Sequence, residues 1–204
     1  MYTRYNEDEN KFEQVSEPDP SLSYTYADYL KWDFEERLEL FGGKIFPLYA
    51  PNRRHQEVSG EFLFAIKKIL RKHKCKVYSA PFDVRLPVKE KKKDDEITTV
   101  VQPDICIICD PSKLDELGCC GAPDLVIEIL SPGDSKKEVR LKHELYEESG
   151  VKEYWVVYPA EQSVAVFILN NGKFSDAKLY PTGEIITCTA IEGLSINLND
   201  IFIQ

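Results

Sequence analysis

The sequence predicts an α/β domain in which a mixed sheet is flanked by helices and extended by antiparallel strands at both ends. Residues 55–70 carry apolar side chains at the spacing of one helical face, which predicts an amphipathic helix. Short apolar runs bounded by proline, glycine or charged residues follow it, and such runs are typical of strands. A second helical pattern over 135–150 leads into another buried strand, so helices and strands alternate.

The chain is expected to hold one domain preceded by an arm. Its 204 residues are 43% hydrophobic and 30% charged, which provides enough apolar side chains for one sizeable core. Residues 1–22 are polar and acidic and contain Pro18 and Pro20, so they bury too little apolar surface to offset the entropy of ordering. We therefore predict a flexible N-terminal arm over 1–22 and a single domain over 23–204.

The first half of the domain begins with a short helical pattern at Tyr24. Gly42 and Gly43 then predict a hairpin turn between two strands, and the helix over 55–70 follows. The charge block at 89–96 predicts an exposed hairpin between two of the later strands. These strands correspond to the runs KCKVYSA, FDVRLPV, TTVVQPDICIIC and APDLVIEILS.

The second half begins with a capping box, because Ser135 precedes Glu138 by three residues. The helix that starts there is expected to end near Gly150. The run EYWVVYP then predicts a buried strand, and VAVFIL, KFSDAKLY and EIITCTAI predict a terminal antiparallel meander.

The charge balance restricts the partners of the protein. Lys and Arg number 26 and Asp and Glu number 35, and the resulting net charge of −9 repels phosphate polyanions. A nucleic-acid contact therefore needs a local basic patch. One candidate cluster lies at the end of the first long helix, with a solvated helix face as the alternative interpretation. It consists of Lys67, Lys68, Arg71, Lys72, Lys74 and Lys76.

The first residues and the cysteines favour a cytoplasmic location. The first ten residues lack the apolar stretch of a signal peptide, and no segment approaches the roughly 18 consecutive apolar residues of a membrane span. We expect the six cysteines to be thiols in the core or in loops. Cys106 and Cys109 lie three apart on a predicted strand and face opposite ways, which argues against a zinc site.

Glu128 is the most informative residue, because it lies within the apolar run Leu125–Leu130. A run that is apolar on both faces predicts a strand covered on two sides. An ionised carboxylate there costs several kcal/mol unless a cation, a metal or hydrogen-bond donors compensate it. The alternative is a carboxylate neutralised by a structural Arg or Lys.

Asp104 repeats this situation at the start of another apolar strand. Two buried acids on neighbouring strands predict a site for a hard divalent cation such as Mg²⁺, which carboxylates commonly hold together with water. Asp124 precedes Glu128 by four residues on the same strand, about 13 Å away, so we expect it to end the preceding loop instead.

Lys142 lies in the middle of the apolar arc of the second helix, rather than opposite it. Its ammonium group is therefore expected near the acids of the sheet, where it can neutralise charge and orient or deprotonate water. In the alternative interpretation, the aliphatic stem passes the core and the ammonium group reaches solvent.

These residues together resemble the PD-(D/E)xK nuclease superfamily, and most closely the Uma-type restriction-endonuclease-like family. The resemblance covers roughly residues 24–202. It rests on Gln102-Pro103-Asp104, Glu128, Lys142 with Tyr146, and several further phrases: residues 40–45, His55, residues 83–86, residues 121–132 and residues 150–159. It implies a restriction-endonuclease-like core and divalent-metal-dependent hydrolysis of phosphodiesters.

The resemblance also implies roles for individual residues. Asp104 and Glu128 would bind Mg²⁺ or Mn²⁺, with the backbone carbonyl of Ile129 as a further ligand. The lysine that the superfamily places at position 130 is Leu130 here, and Lys142 from the neighbouring helix is the candidate replacement. The first acid of the superfamily maps loosely to Glu57 or Glu61.

Two further residues are possible members of the site. His55 lies on the inward face of the first long helix, near its start, with a hydrogen-bonded core histidine as the alternative. Asp83 shares one side of a strand with Arg85, and the alternative is that the two pair with each other. The chain has no G-x-S-x-G, P-loop or G-x-G-x-x-G motif, so nothing favours a serine hydrolase, an NTPase or a Rossmann dehydrogenase.

The expected function is a magnesium- or manganese-dependent DNA endonuclease that acts through Asp104, Glu128 and Lys142. A homodimer is expected, because cleavage of both strands of a duplex needs two sites. The alternative is a binding or assembly module that keeps the nuclease fold without catalysis. The missing lysine at position 130 and the net charge of −9 favour that alternative.

Overall fold

The computed structural model describes residues 2–6, 11–15, 21–32, 37–86, 93–133 and 136–202. The predicted capping residue Ser135 and part of the predicted hairpin at 89–96 lie outside these ranges. The helices are α1 (Tyr26–Tyr29), α2 (Arg53–Leu70) and α3 (Lys136–Ser149), and short 3₁₀ turns occupy Pro111–Lys113 and Leu198–Asp200. The strands are β1 (Tyr2–Asn6), β2 (Lys11–Val15), β3 (Leu38–Phe41), β4 (Lys44–Pro47), β5 (Lys76–Ser79), β6 (Val84–Arg85), β7 (Val100–Val101), β8 (Ile105–Ile108), β9 (Leu114–Asp115), β10 (Gly118–Cys120), β11 (Leu125–Ile129), β12 (Glu153–Tyr158), β13 (Ser163–Asn170), β14 (Lys173–Phe174), β15 (Lys178–Pro181), β16 (Ile185–Thr187) and β17 (Ser195–Asn197).

The larger sheet has the strand order β14-β13-β12-β11-β8-β5, with β15 added alongside β13. Strands β11 and β12 are parallel and joined through α3, whereas the other pairs of this sheet are antiparallel. The predicted α/β fold with a mixed sheet is therefore confirmed. The antiparallel meander from β12 onwards was also predicted.

A second sheet has the order β4-β3-β7-β6-β10-β9. Its β3–β4 hairpin turns at Gly42 and Gly43, both of which have positive φ, as the sequence predicts. Strands β9, β10 and β17 were not predicted, whereas β16 lies within the predicted run EIITCTAI. The three strands that were not predicted consist of only two or three residues, too few to show an alternating pattern.

The core lies on both faces of the larger sheet. One face, with Ile105, Ile127 and Trp155, packs against the apolar side of α2. The other face, with Cys106 and Val126, packs against Tyr146 of α3. Because β8 and β11 are covered on both sides, their continuous apolar sequences are explained by burial.

Cys75 and Cys109 form a disulfide between residues 34 apart in the chain, so the expectation that all six cysteines are thiols is wrong for this pair. The spacing of cysteines along one strand does not show which residue of a neighbouring strand lies opposite Cys109. Cys75 precedes β5, which pairs with β8 at the strand end next to Cys109. Cys106, Cys119, Cys120 and Cys188 are free thiols.

The predicted N-terminal arm contains β1 and β2, which pair with each other as an antiparallel hairpin. This hairpin was not predicted. No helix in the described ranges is both long and apolar enough to span a membrane.

Candidate active site

Asp104 and Glu128 meet because β8 and β11 are antiparallel neighbours. Ile105 and Ile127 are the last pair of this ladder. Asp104 and Glu128 are the next residues on the two strands, so the register places them opposite each other. Directly opposed residues of an antiparallel pair have neighbouring side chains on one face. The two acids predicted from separate apolar strands therefore belong to one site.

Glu128 is only 6% exposed, and two side chains of α3 donate hydrogen bonds to its carboxylate. Lys142 Nζ lies 2.9 Å and the Tyr146 hydroxyl 2.6 Å from the same oxygen, Oε1. Burial raises the pKa of Glu128 to about 7, and the Asp104 and Glu39 carboxylates act in the same direction, whereas Lys142 opposes them. The ordinary preference of a glutamate for the ionised state is therefore weak here.

Lys142 points into the site, so the alternative in which its ammonium group reaches solvent is wrong. Its side chain is 18% exposed, and Nζ also lies 3.5 Å from Oε1 of Glu39. Burial acts to lower the pKa of Lys142, but the Glu128 and Glu39 carboxylates outweigh it and raise that pKa above its ordinary value. The side chain is therefore held as an ammonium ion, suited to stabilise negative charge rather than to accept a proton.

Asp104 is fixed by two contacts to a single oxygen, Oδ2. His55 Nε2 lies 3.1 Å away, and the backbone amide of Ile129 donates over 2.8 Å. His55 occupies the first turn of α2, where its amide donates to the side chain of Asn52. His55 is buried and hydrogen-bonded, as a core histidine would be. The group that it contacts is Asp104, so its imidazole also lies at the candidate site. Within the described residues, Oδ1 of Asp104 accepts no hydrogen bond and is available to a ligand.

Glu39 completes the site from the second sheet. It is 2% exposed, and its Oε1 accepts the backbone amide of Gln102 over 2.8 Å, two residues before Asp104. Sequence reasoning missed it, although an acid between Leu38 and Leu40 is the same signal that identified Glu128. Glu57 and Glu61, the loosely mapped alternatives, lie on α2, and exposed Glu57 pairs with Arg53 over 2.8 Å.

Asp83 does not pair with Arg85 but supports Gln102. The Gln102 amide donates to Asp83 over 2.9 Å and contacts the Tyr29 hydroxyl over 3.1 Å. Arg85 instead bonds to Asp115. The backbone amide of Gln102 donates to Glu39, and its side-chain amide donates to Asp83. Asp83 is therefore connected to the cluster of Glu39, Asp104 and Glu128 through Gln102 and does not contact it directly in these hydrogen bonds.

Another buried acid shows what a purely structural carboxylate looks like in this fold. Glu153, on β12 beside β11, is fully buried, and neutral groups satisfy it. Trp155 Nε1 donates to one oxygen over 2.7 Å, and Thr189 and Ala190 donate to the other. Glu128 differs, because its described partners include a cation and it faces two further acids.

The charges of the site are unbalanced. Glu39, Asp104 and Glu128 bring three carboxylates, against the single ammonium group of Lys142. Carboxylate oxygens are the ligands that Mg²⁺ and Mn²⁺ prefer, and a divalent cation would offset the excess negative charge. The described residues nevertheless include no group of three His, Cys, Asp or Glu side chains already spaced to hold a metal ion.

Fold and site together define a restriction-endonuclease-like α/β protein. The crystal structure of "a putative nuclease belonging to DUF820" from Anabaena variabilis superimposes with a TM-score of 0.70 and 20% sequence identity, over 88% of this chain and 97% of that one. The Uma2 family, described as "Putative restriction endonuclease", matches residues 26–199. The chain therefore belongs to the Uma2 family, as the resemblance predicted. A comparison with curated proteins gives no match.

Proposed function

We propose that the protein is a divalent-metal-dependent endonuclease that hydrolyses phosphodiester bonds in DNA. The observation that carries the proposal is the opposition of Asp104 and Glu128 across two buried strands, with the Lys142 ammonium on Glu128. Membership of the Uma2 family supports a nuclease. The metal and the DNA substrate are parts of the proposal.

Asp104, Glu128 and the backbone carbonyl of Ile129 would hold Mg²⁺ or Mn²⁺, and Glu39 is a further oxygen donor beside them. The free Oδ1 of Asp104 and the excess of carboxylates fit such an ion. A bound divalent ion supplies charge stabilisation at the phosphate and lowers the pKa of a water molecule.

The residues of the chain have distinct roles in this proposal. Lys142 stays protonated and stabilises the negative charge that develops on the phosphate during attack by water. Tyr146 orients Glu128 through its 2.6 Å hydrogen bond. His55 orients Asp104 so that Oδ1 remains available. Asp83 acts only indirectly, through Gln102.

The proposal extends to assembly and location. A homodimer would place two sites on the two strands of a duplex, which light scattering of the purified protein tests. The cytoplasm is the proposed compartment, and four free thiols agree with it. The Cys75–Cys109 disulfide is more typical of an oxidising compartment. Mass spectrometry of protein alkylated during extraction distinguishes four alkylated cysteines from six.

The decisive experiment measures Mg²⁺ and Mn²⁺ binding by calorimetry and cleavage of plasmid and single-stranded DNA. Asp104→Asn should abolish both binding and cleavage, because it removes a charged ligand with little change in shape. Asp95→Asn, at an exposed aspartate, is the matched control and should leave both unchanged. If the wild-type protein binds neither ion and cuts neither substrate, the non-catalytic binding module takes the place of the endonuclease.

A further inference from the structure

Basic residues are segregated into one segment of this acidic chain. Between Glu61 and Asp83 there is no acidic residue, whereas the net charge of the whole chain is −9. The segment contains the six cations predicted as a cluster, which we call the basic surface: Lys67, Lys68, Arg71, Lys72, Lys74 and Lys76. All six are exposed. Within the described ranges, none of them forms an ion pair, so their charges are available to an external anion.

Three residues of the basic surface line a cleft between the end of α2 and the edge strand β5. The cleft has a volume of about 260 Å³. Lys67, Arg71 and Lys76 line it together with apolar groups of Leu70 and Val77. Tyr78 also lines the cleft, while its ring stacks on Phe82 with centroids 4.2 Å apart on the sheet face opposite α2. Cations beside an apolar wall complement a nucleotide unit, which combines a phosphate with a flat base.

An exposed aromatic ring lies beside these cations. Phe64 is 67% exposed on α2, although an isolated domain gains nothing by leaving a phenyl ring in water. Lys67 and Lys68 follow it by three and four residues, which places them next to Phe64 on the helix surface. Glu61 lies three residues before Phe64, so the cations flank the ring on one side only. An aromatic ring next to cations can bind an unpaired base and its phosphate.

We propose that the basic surface, its cleft and Phe64 bind single-stranded nucleic acid. Phosphates contact Lys67, Arg71 and Lys76, one base enters the cleft, and another stacks on Phe64. A duplex is a poorer partner, because its bases are already stacked and paired and cannot cover the phenyl ring. The inference deepens the proposed nuclease function by adding a second nucleic-acid contact outside the cleavage site.

The position of the surface defines its role. Phe64 follows His55 by nine residues, about two and a half helical turns, so the two side chains project from opposite sides of α2. Arg71 lies about 24 Å from His55 along the helix axis. The surface therefore holds a strand away from the reacting phosphate, and its loss should raise KM for long substrates while leaving kcat unchanged.

The test measures binding of a labelled 20-nucleotide oligomer by fluorescence anisotropy in EDTA, so that cleavage does not enter. The triple variant Lys67→Ala, Arg71→Ala, Lys76→Ala should lower the slope of log affinity against log salt by roughly 2, about 0.7 for each lost phosphate contact. The control variant Lys31→Ala, Lys93→Ala, Lys178→Ala removes the same charge from other exposed positions and should retain the wild-type slope. Equal slopes for the two triple variants would overturn the proposal.

Phe64→Ala separates stacking from charge. It should weaken binding of the single strand by roughly fivefold or more and leave binding of the matching duplex unchanged. Tighter binding of the duplex than of the single strand by the wild-type protein would refute the inference. A protein that binds single strands through this surface but cuts nothing would contradict only the nuclease function. Cleavage without any effect of either variant on affinity or KM would contradict only this surface.

Discussion

Lys142 donates a 2.9 Å hydrogen bond to Glu128, from the helix that follows the strand on which Glu128 lies. The ammonium group contacts both Glu128 and Glu39, and these contacts keep it charged. It compensates a buried carboxylate, it approaches Glu39 from the other sheet, and it stays protonated because of both acids. The stability of this region and the proposed chemistry therefore depend on the same side chain.

At pH 9, where Glu128 is ionised in the wild type, Lys142→Met should lower the free energy of unfolding by up to about 3 kcal/mol, because the buried Glu128 loses its cation and must take up a proton. Urea denaturation measures this change. Arg140→Met is the control on the same helix, since Arg140 is 80% exposed in its pair with Glu144. It should cost less than about 1 kcal/mol. Equal losses in the two variants would show that the Lys142–Glu128 pair contributes nothing beyond a surface ion pair.

Glu128 should make the stability of the metal-free protein depend on pH. Its pKa is about 7 in the folded chain, against an ordinary value of 4.5. The folded state therefore binds the proton more tightly, and stability falls as the pH rises from about 4.5 to about 7. The Glu128 contribution to this fall is at most about 3 kcal/mol.

Urea titrations in EDTA at several pH values should show this fall in the wild type, and Glu128→Gln should remove it. Parallel pH profiles for wild type and variant would contradict the raised pKa.

Glu153→Gln should destabilise the fold by roughly 1–3 kcal/mol without altering cleavage or metal binding in the folded protein. A glutamine offers one acceptor oxygen instead of two, and its amide would face donors at Thr189 and Ala190. Chemical denaturation and the cleavage assay, both run well below the unfolding temperature, separate the two effects. Loss of metal binding in this folded variant would show that the acids of β11 and β12 are coupled.

Reduction of the Cys75–Cys109 disulfide should lower the free energy of unfolding by about 2–4 kcal/mol, because the bond closes a loop between residues 34 apart. Urea titrations with and without a reductant measure the difference. The double variant Cys75→Ser, Cys109→Ser should resemble the reduced protein and ignore the reductant. If reductant leaves wild-type stability unchanged, the bond makes no contribution in solution.

Local patterns were sufficient for much of the architecture. The 3.6-residue periodicity predicted α2, and the apolar runs predicted β8, β11 and β12, because each of these elements buries a complete face against the core. The short strands β9 and β10 were not predicted, because they are defined by their pairing and are too short to show a periodic pattern. The N-terminal hairpin β1–β2 escaped because its polar composition predicts no buried face.

The sequence alone identified charged residues in apolar surroundings. Asp104 and Glu128 are acids in apolar strands, and Lys142 lies on an apolar helix face. Tertiary structure decided which groups meet them. Glu39 reaches Lys142 from a different sheet, and Cys75 reaches Cys109 across neighbouring strands. These contacts join residues 34 to 103 positions apart, and their formation depends on sheet order and register, which local periodicity does not encode.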